Sequence, residues 1–267
     1  MIHPTAIVDS GAKIGANVEV GPHTLIGGEV TIGENTSIGA NAVIESEVII
    51  GRGNRIGHGT IIGSAPQDVR FSERIRSRVE IGNDNLIREY CTIHRGTTEG
   101  SATKIGDENF LMVGVHVGHN CNVGNNVIIA NNVLLAGNVE ILDQAFVGGG
   151  TTFHQNMRVG RLVMVQGSSA FGKDLPPFTL GAERNLVFGL NIIGLRRAKF
   201  SAAQRDEIKR AFKLLYLSGL NTQQALEKSR ETEWTEVGRE FFDFVATAIT
   251  KRGVCPLKRG AELETQT

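Results

Sequence analysis

Apolar residues return at every sixth position through most of this chain. Counting from Ile2, the series runs Val8, Ile14, Val20, Ile26, Ile32, Ile38, Ile44, Ile50, Ile56 and Ile62. From Ile14 onward a glycine follows each member except Ile44. A period of six fits no α-helix, which repeats every ~3.6 residues. It fits short strands joined by turns of one sense. Three hexapeptides, 18 residues, then make one triangular coil, and stacked coils form parallel ladders with rungs ~4.8 Å apart. The sixth-position Ile or Val points into the prism. The glycine after it occupies a crowded corner.

The period breaks twice. Residues 64–78, SAPQDVRFSERIRSR, and residues 95–104, RGTTEGSATK, carry no six-fold pattern and read as loops leaving the coil. Between them the repeat resumes at Ile81, Ile87 and Ile93. The longest run in phase then extends from Ile105 to Phe171. Loops carried on a rigid scaffold are a usual place for function.

Past Lys173–Pro177 the pattern changes. Ser201 reads as the N-cap of a helix with Ile208, Phe212, Leu215 and Tyr216 on one face, stopped by Ser218–Gly219. Asn221–Thr222 caps a short second helix, and a third runs from about Thr235 to Lys251. The polar tail from Gly260 to Thr267 is expected to fray. The expected architecture is mainly β: a parallel β-helix over 1–175, then a small α-helical domain over 190–255.

Composition adds limits. Lys plus Arg equals Asp plus Glu, at 28 each in 267 residues, so bulk charge gives no argument for nucleic acid or an anionic membrane. The three cysteines, Cys91, Cys121 and Cys255, form no disulfide framework and fit a reducing, cytoplasmic setting. No signal peptide and no apolar run long enough for a transmembrane segment is present in the sequence.

Three histidines stand against the repeat, which does not require them: His116, His119 and His154. Residues 18 apart stack, so Val117, Leu135 and Phe153 share a vertical line, with His119, Asn138 and His154 near one edge. The plainest reading is that these are solvated corner residues. A second is a zinc site of the kind found in β-helical carbonic anhydrases. His119 and His154 lie nearly two rungs apart, roughly 10 Å, whereas zinc ligands converge within ~2.1 Å of the metal. A neighbouring chain would have to complete such a site, with Cys121 as a candidate sulfur ligand. A third reading is a general base: a histidine oriented by a hydrogen-bonding neighbour takes a proton from a sugar hydroxyl, and a backbone N–H such as that of Gly137 stabilises an oxyanion. A repeat scaffold without catalysis is a fourth.

HVGHNC at 116–121, Gln67–Asp68, TIHRGT at 92–97, His154–Gln155 and GLNIIGLRR at 189–197 occur in an order that resembles the bacterial UDP-N-acetylglucosamine O-acyltransferases, members of the hexapeptide-repeat transferases. The resemblance spans nearly the whole chain. It implies a left-handed coil and a homotrimer with active sites between neighbours. The implied reaction moves a 3-hydroxyacyl group from acyl carrier protein to the glucosamine 3-OH, the first step of lipid A synthesis. No metal or cofactor is implied; the donor is the phosphopantetheine thioester of the carrier protein. By the resemblance His119 is the base, Asn120 its neighbour and Gly137 the oxyanion donor. His116 and Asp68 bind the sugar, and His94 lines the same cleft. His154, Gln155, Asn191 and Arg197 hold the nucleotide and its diphosphate, Arg through its bidentate fork. Gln67 lies along the acyl chain, and Gly167 stands where chain length is limited, with Met164 and Gln166 nearby. Arg196, Arg197, Lys199, Lys209, Arg210 and Lys213 either steer the acidic carrier protein or form an ordinary solvated helix face. The chain departs from the family pattern at Asn120 (an Asp in the family), Asn138 (a His), Ile193 (an acidic residue) and along 181–186. These departures leave open a 3-amino UDP-sugar as the acceptor.

Overall fold

The computed structural model describes residues 1–45 and 47–260. The expected polar tail therefore lies, apart from Gly260, outside the described residues.

Short parallel strands stack into three sheets that form the sides of a left-handed prism. The first sheet runs from Ile7–Val8 to Ala170–Phe171, the second from Lys13–Ile14 to Arg158–Val159, and the third from Glu19–Val20 upward. Register follows the 18-residue coil: Val117 pairs with Leu135, and Leu135 with Phe153. The sixth-position side chains fill the prism. Ile32, Ile44, Ile62, Ile93, Leu111, Val117, Leu135 and Val147 are each at most 1% exposed, and each such burial stabilises by about 1.5–3 kcal/mol.

A second buried column lies two residues earlier in each hexapeptide. Val18, Thr24, Val30, Thr36, Asn54, Cys91, Val115, Cys121 and Val133 all belong to it. Its polar members are satisfied internally. Asn54, Asn85 and Asn109 form a ladder in which Asn85 Nδ2 donates to Asn54 Oδ1 at 2.9 Å and the Asn109 N–H donates to Asn85 Oδ1 at 2.9 Å. Buried side chains that cannot reach water keep their partners this way.

The turns use two different constraints. A Cβ on the glycine after the inward residue would meet backbone of the next coil; at Gly15 and Gly21 the contact would be 2.7 Å. The left-handed backbone, however, falls two residues later, and asparagine is its commonest occupant, ahead of glycine: Asn17, Asn35, Asn41, Asn120, Asn126, Asn132, Asn138 and Asn156, all with φ between 56° and 62°. Asparagine tolerates this region better than other residues with a Cβ.

Both excursions leave from one edge, where the first sheet turns toward the second. The first follows strand Ile61–Ser64, and the second sheet resumes at Arg78–Ile81. The other follows Thr92–His94 and ends earlier than its lack of repeat suggests, since Ala102–Ile105 is already strand.

Beyond Phe171 the third sheet continues through Thr179–Ala182 and closes with an antiparallel strand, Leu186–Leu190, which no six-fold pattern announces. Four helices follow: α1 (Ile192–Arg197), α2 (Ala202–Tyr216), α3 (Thr222–Ser229) and α4 (Glu236–Ile249). Ser201 and Asn221 each complete a capping box. Thr235 precedes α4 but donates its hydroxyl to Glu207 Oε2 of α2, at 2.7 Å. Arg158 seats α4 on the prism. Its side chain donates to the Asp174 carboxylate, to Thr247 Oγ1 at 2.6 Å and to the Phe244 carbonyl at 3.0 Å, and it stacks on the Phe244 ring.

Candidate active site

His119 and Asn120 occupy the turn of the loop-bearing edge, between strands His116–Val117 and Asn122–Val123. The His119 Nδ1 and Asn120 Oδ1 are 2.9 Å apart. The same oxygen accepts from the Thr97 N–H at 3.0 Å and from Thr97 Oγ1 at 2.9 Å. A backbone N–H can only donate, so the Asn120 atom facing it is the oxygen. His119 Nδ1 therefore carries the proton, and Nε2 is left with its lone pair. Thr103 completes the mount by accepting from the Asn120 N–H at 2.8 Å.

One coil above, Gly137 lies against the His119 ring. A Cβ on Gly137 would fall well inside van der Waals contact with His119 Cε1 and Nε2. The Gly137 N–H has no hydrogen-bond partner among the described residues. The His119 ring and an unpaired backbone donor thus adjoin each other on this edge, a pairing that acyl transfer can use.

Two more histidines flank that spot. His94 is buried and donates from Nδ1 to the Ala65 carbonyl at 2.7 Å. His116 Nδ1 lies 2.8 Å from Thr92 Oγ1, and its ring meets that of His94 edge-on at 5.1 Å. Burial, and secondarily His94, holds His116 below the ordinary imidazole value. Asp68, on the first loop, is held below the usual carboxylate range by the Arg70 backbone N–H and side chain, with a smaller contribution from His119. Gln67 beside it is exposed.

The remaining residues lie higher on the prism. His154 and Gln155 are exposed on the same edge, with His154 Nδ1 3.3 Å from the Gln155 carbonyl. Gly167 is exposed at a different corner, and a Cβ there would approach the Gly149 carbonyl at 3.0 Å. Arg197 is exposed in the last turn of α1. Asn191 is committed internally: it caps α1 through Gly194 and donates to the Leu162 carbonyl. Its side chain serves the fold first.

Cys121 is not available as a metal ligand. It belongs to the inner column, donates to the Ala136 carbonyl at 3.1 Å, and burial pushes its thiol up to about 12. No group of three or more metal-ligating side chains is gathered among the described residues.

Two family models match the chain. The bacterial transferase hexapeptide model covers residues 29–64 and 102–137, and the model of domain 2 of UDP N-acetylglucosamine O-acyltransferase covers 174–255. A protein of Thiobacillus denitrificans named acyl-[acyl-carrier-protein]–UDP-N-acetylglucosamine O-acyltransferase is 42% identical over 257 residues, 95% of this chain and 98% of that protein. The chain belongs to the UDP-N-acetylglucosamine O-acyltransferase family. A Synechocystis member of the same name is 49% identical over 169 residues, spanning 63% of this chain and 61% of its own length. The solved UDP-N-acetylglucosamine acyltransferase of Bacteroides fragilis has 43% identity, covers 95% of this chain and 99% of its own, and superposes with a TM-score of 0.90.

With family membership the scaffold and lyase readings of the chain fall away. What the sequence reading missed is the mount: Thr97, Thr103, Thr92 and the Ala65 carbonyl. A signal was available. Ile62 and Ile93 occupy the same phase of the coil as Val117, so both loops had to emerge directly below His119.

Proposed function

We propose that this chain transfers a 3-hydroxyacyl group from acyl carrier protein to the 3-OH of UDP-N-acetylglucosamine, as the names of its relatives describe for those proteins. The observation that carries the reading is the His119–Asn120–Thr97 mount, which leaves Nε2 free beside Gly137. His119 Nε2 takes the hydroxyl proton as the oxygen attacks the thioester carbonyl. The Gly137 N–H receives the oxyanion. Collapse breaks the C–S bond, and the imidazolium returns its proton to the departing thiolate, so no metal or cofactor enters the step. Asp68, His116 and His94 bind the sugar. His154, Gln155 and Arg197 hold the nucleotide, with Asn191 capping the start of α1. Gln67 and Gly167 border the acyl chain.

We infer a homotrimer working in the cytoplasm. Its support is an outward column on the third sheet, Leu86, Phe110, Ile128, Phe146 and Met164, paired rung on rung and only half-buried in a single chain. Such a contiguous apolar face is a surface for a second copy. Light scattering on the purified protein should give three chains per particle, and Phe146→Glu should lower that number.

Incubation with 3-hydroxyacyl carrier proteins of several chain lengths and UDP-N-acetylglucosamine, followed by mass spectrometry, tests the reaction. An O-acylated UDP-sugar is expected. No product with any donor would overturn it; product only with the 3-amino analogue would move the acceptor to nitrogen.

A further inference from the structure

Residues 66–75 of the first loop carry Gln67 and Asp68 and form no strand. Their backbone makes two tight turns. The Phe71 N–H closes the first by donating to the Asp68 carbonyl at 2.9 Å, and the Ile75 N–H closes the second by donating to the Ser72 carbonyl at 3.0 Å. Neither bond reaches the prism. Among the described residues, every hydrogen bond, ion pair and ring contact that joins residues 66–75 to the rest of the chain is made by Arg95. Its Nη1 donates to the Ile75 carbonyl at 2.9 Å, its guanidinium carbon lies 5.1 Å from the centre of the Phe71 ring, and its Nη2 pairs with Glu73 Oε2 at 3.2 Å. The Glu73 pair adds little, because that side chain is 79% exposed. The other two contacts fall on Phe71 and Ile75, the residues that close the turns. The Arg95 side chain is only 14% exposed, so water cannot readily replace the partners it has.

Arg95 is itself anchored on the site edge. It lies between His94 and Thr97. Its own N–H donates to the Ser64 carbonyl at 3.1 Å, and the Ser77 hydroxyl donates to the Gly96 carbonyl at 2.6 Å. The backbone around Arg95 therefore holds both ends of the first loop, and its side chain holds the middle.

We propose that Arg95 is a positioning residue for the acceptor, holding the two turns of the first loop so that Asp68 is presented to the sugar. The proposal rests on the acyl-transfer reading, in which Asp68 binds the sugar and His154, Gln155 and Arg197 hold the nucleotide. Arg95 acts through Phe71. The 68–71 turn is closed by a backbone bond, so fixing Phe71 fixes Asp68 at the other end of it. An arginine suits the task because one planar cation stacks on a ring and donates along its edge at once, which an ammonium does not do.

The test measures binding of UDP-N-acetylglucosamine and of UDP by calorimetry to the wild type, Arg95→Ala, Arg95→Lys, Asp68→Ala and Asp68→Ala/Arg95→Ala, with thermal melting on each. Arg95→Ala should bind UDP-N-acetylglucosamine about tenfold more weakly, the worth of one hydrogen bond from a charged donor. It should bind UDP as the wild type does, because only the sugar contact is displaced. Arg95→Lys should recover only a small part of the loss. Once Asp68 is alanine, removing Arg95 should cost nothing further. In turnover the KM for UDP-N-acetylglucosamine should rise by a similar factor while kcat falls less than about threefold. Hydrogen exchange in Arg95→Ala should rise over residues 66–75 and not over 102–105.

Equal weakening toward UDP and UDP-N-acetylglucosamine would overturn the proposal. So would full recovery in Arg95→Lys, which would make Arg95 a plain charge for the diphosphate, and so would losses that add in the double variant. Should Arg95→Ala fail to fold, Phe71→Leu replaces it and should weaken UDP-N-acetylglucosamine by about two- to fivefold, the worth of the lost ring contact, with UDP unaffected; unchanged binding of both would overturn the proposal. A wild type that binds the sugar nucleotide, and loses it on substitution as described, yet forms no acylated sugar would instead refute the acyl-transfer reading and leave the assignment of Arg95 standing.

Discussion

His119 Nδ1 donates to Asn120 Oδ1 at 2.9 Å, and the Thr97 backbone N–H, donating to that same oxygen, fixes which way the amide faces. The tautomer of the base is thus set by a main-chain group that cannot reverse its role. Asn120→Ala should leave the fold intact and lower kcat by about 10–100-fold with little change in KM, because the ring loses its orientation and not its chemistry. Asn120→Asp keeps an oxygen toward Thr97 and should retain most activity. Its carboxylate stabilises the imidazolium, so the acid limb of the pH–rate profile should move to higher pH. Steady-state kinetics across pH separates these outcomes, and an Asn120→Ala enzyme with wild-type kcat would remove the amide from the mechanism.

The buried pair Arg158–Asp174 is the joint between prism and helices. Asp174 is fully buried, and the Arg158 side chain is 11% exposed. Removing one partner leaves an uncompensated charge and should cost about 3–5 kcal/mol. Asp174→Ala should therefore lower the urea midpoint markedly. It should also loosen α4, because the Arg158 contacts with Thr247 and Phe244 lose their counter-charge. Hydrogen exchange should rise first in residues 236–249. A midpoint shift equivalent to less than about 1 kcal/mol would contradict this account of the joint.

His116 gives the stability a pH dependence. Burial and the neighbouring His94 hold it below the ordinary value of 6.5. The folded state then binds fewer protons than the unfolded state once pH falls toward that ordinary value, so stability is full above about 6.5 and declines as pH drops through the window beneath it. The fall in Tm between pH 7 and pH 5.5 should be smaller in His116→Gln than in the wild type. Equal falls would mean that His116 is not the group responsible.

Much of the fold was legible in the sequence because the inward column is chemically uniform: Ile or Val at every sixth place has one explanation. The second inner column was hidden. It mixes Val, Thr, Asn, Ala and Cys, chosen for size, and satisfies its polar members along the stack. Cys121 looked like a candidate ligand for that reason and is a packing residue with an inert thiol. The glycine after the inward residue marks crowding, whereas the left-handed position two residues later carries no single residue type, although Asn17, Asn35 and Asn41 mark it. In the C-terminal region Ser201 and Asn221 announced their helices. The six-residue α1 did not, being short and containing Gly194. At the site, the 18-residue count stacks His119 with Gly137, and Asn120 enters through the family resemblance. Thr97 does not follow from that count, because its loop breaks the phase that counting depends on. Only the folded chain brings it under Asn120.

The most direct test of the account is the acyl-transfer rate of His119→Ala beside that of the wild type, with saturating 3-hydroxyacyl carrier protein and UDP-N-acetylglucosamine and with Tm measured on both proteins. The account predicts an unchanged Tm and a loss of about 10²–10⁴ in kcat, the range a positioned general base supplies. A folded variant retaining more than about a tenth of the wild-type kcat would show that the proton leaves by another route, and the edge built around His119 would need a different chemistry.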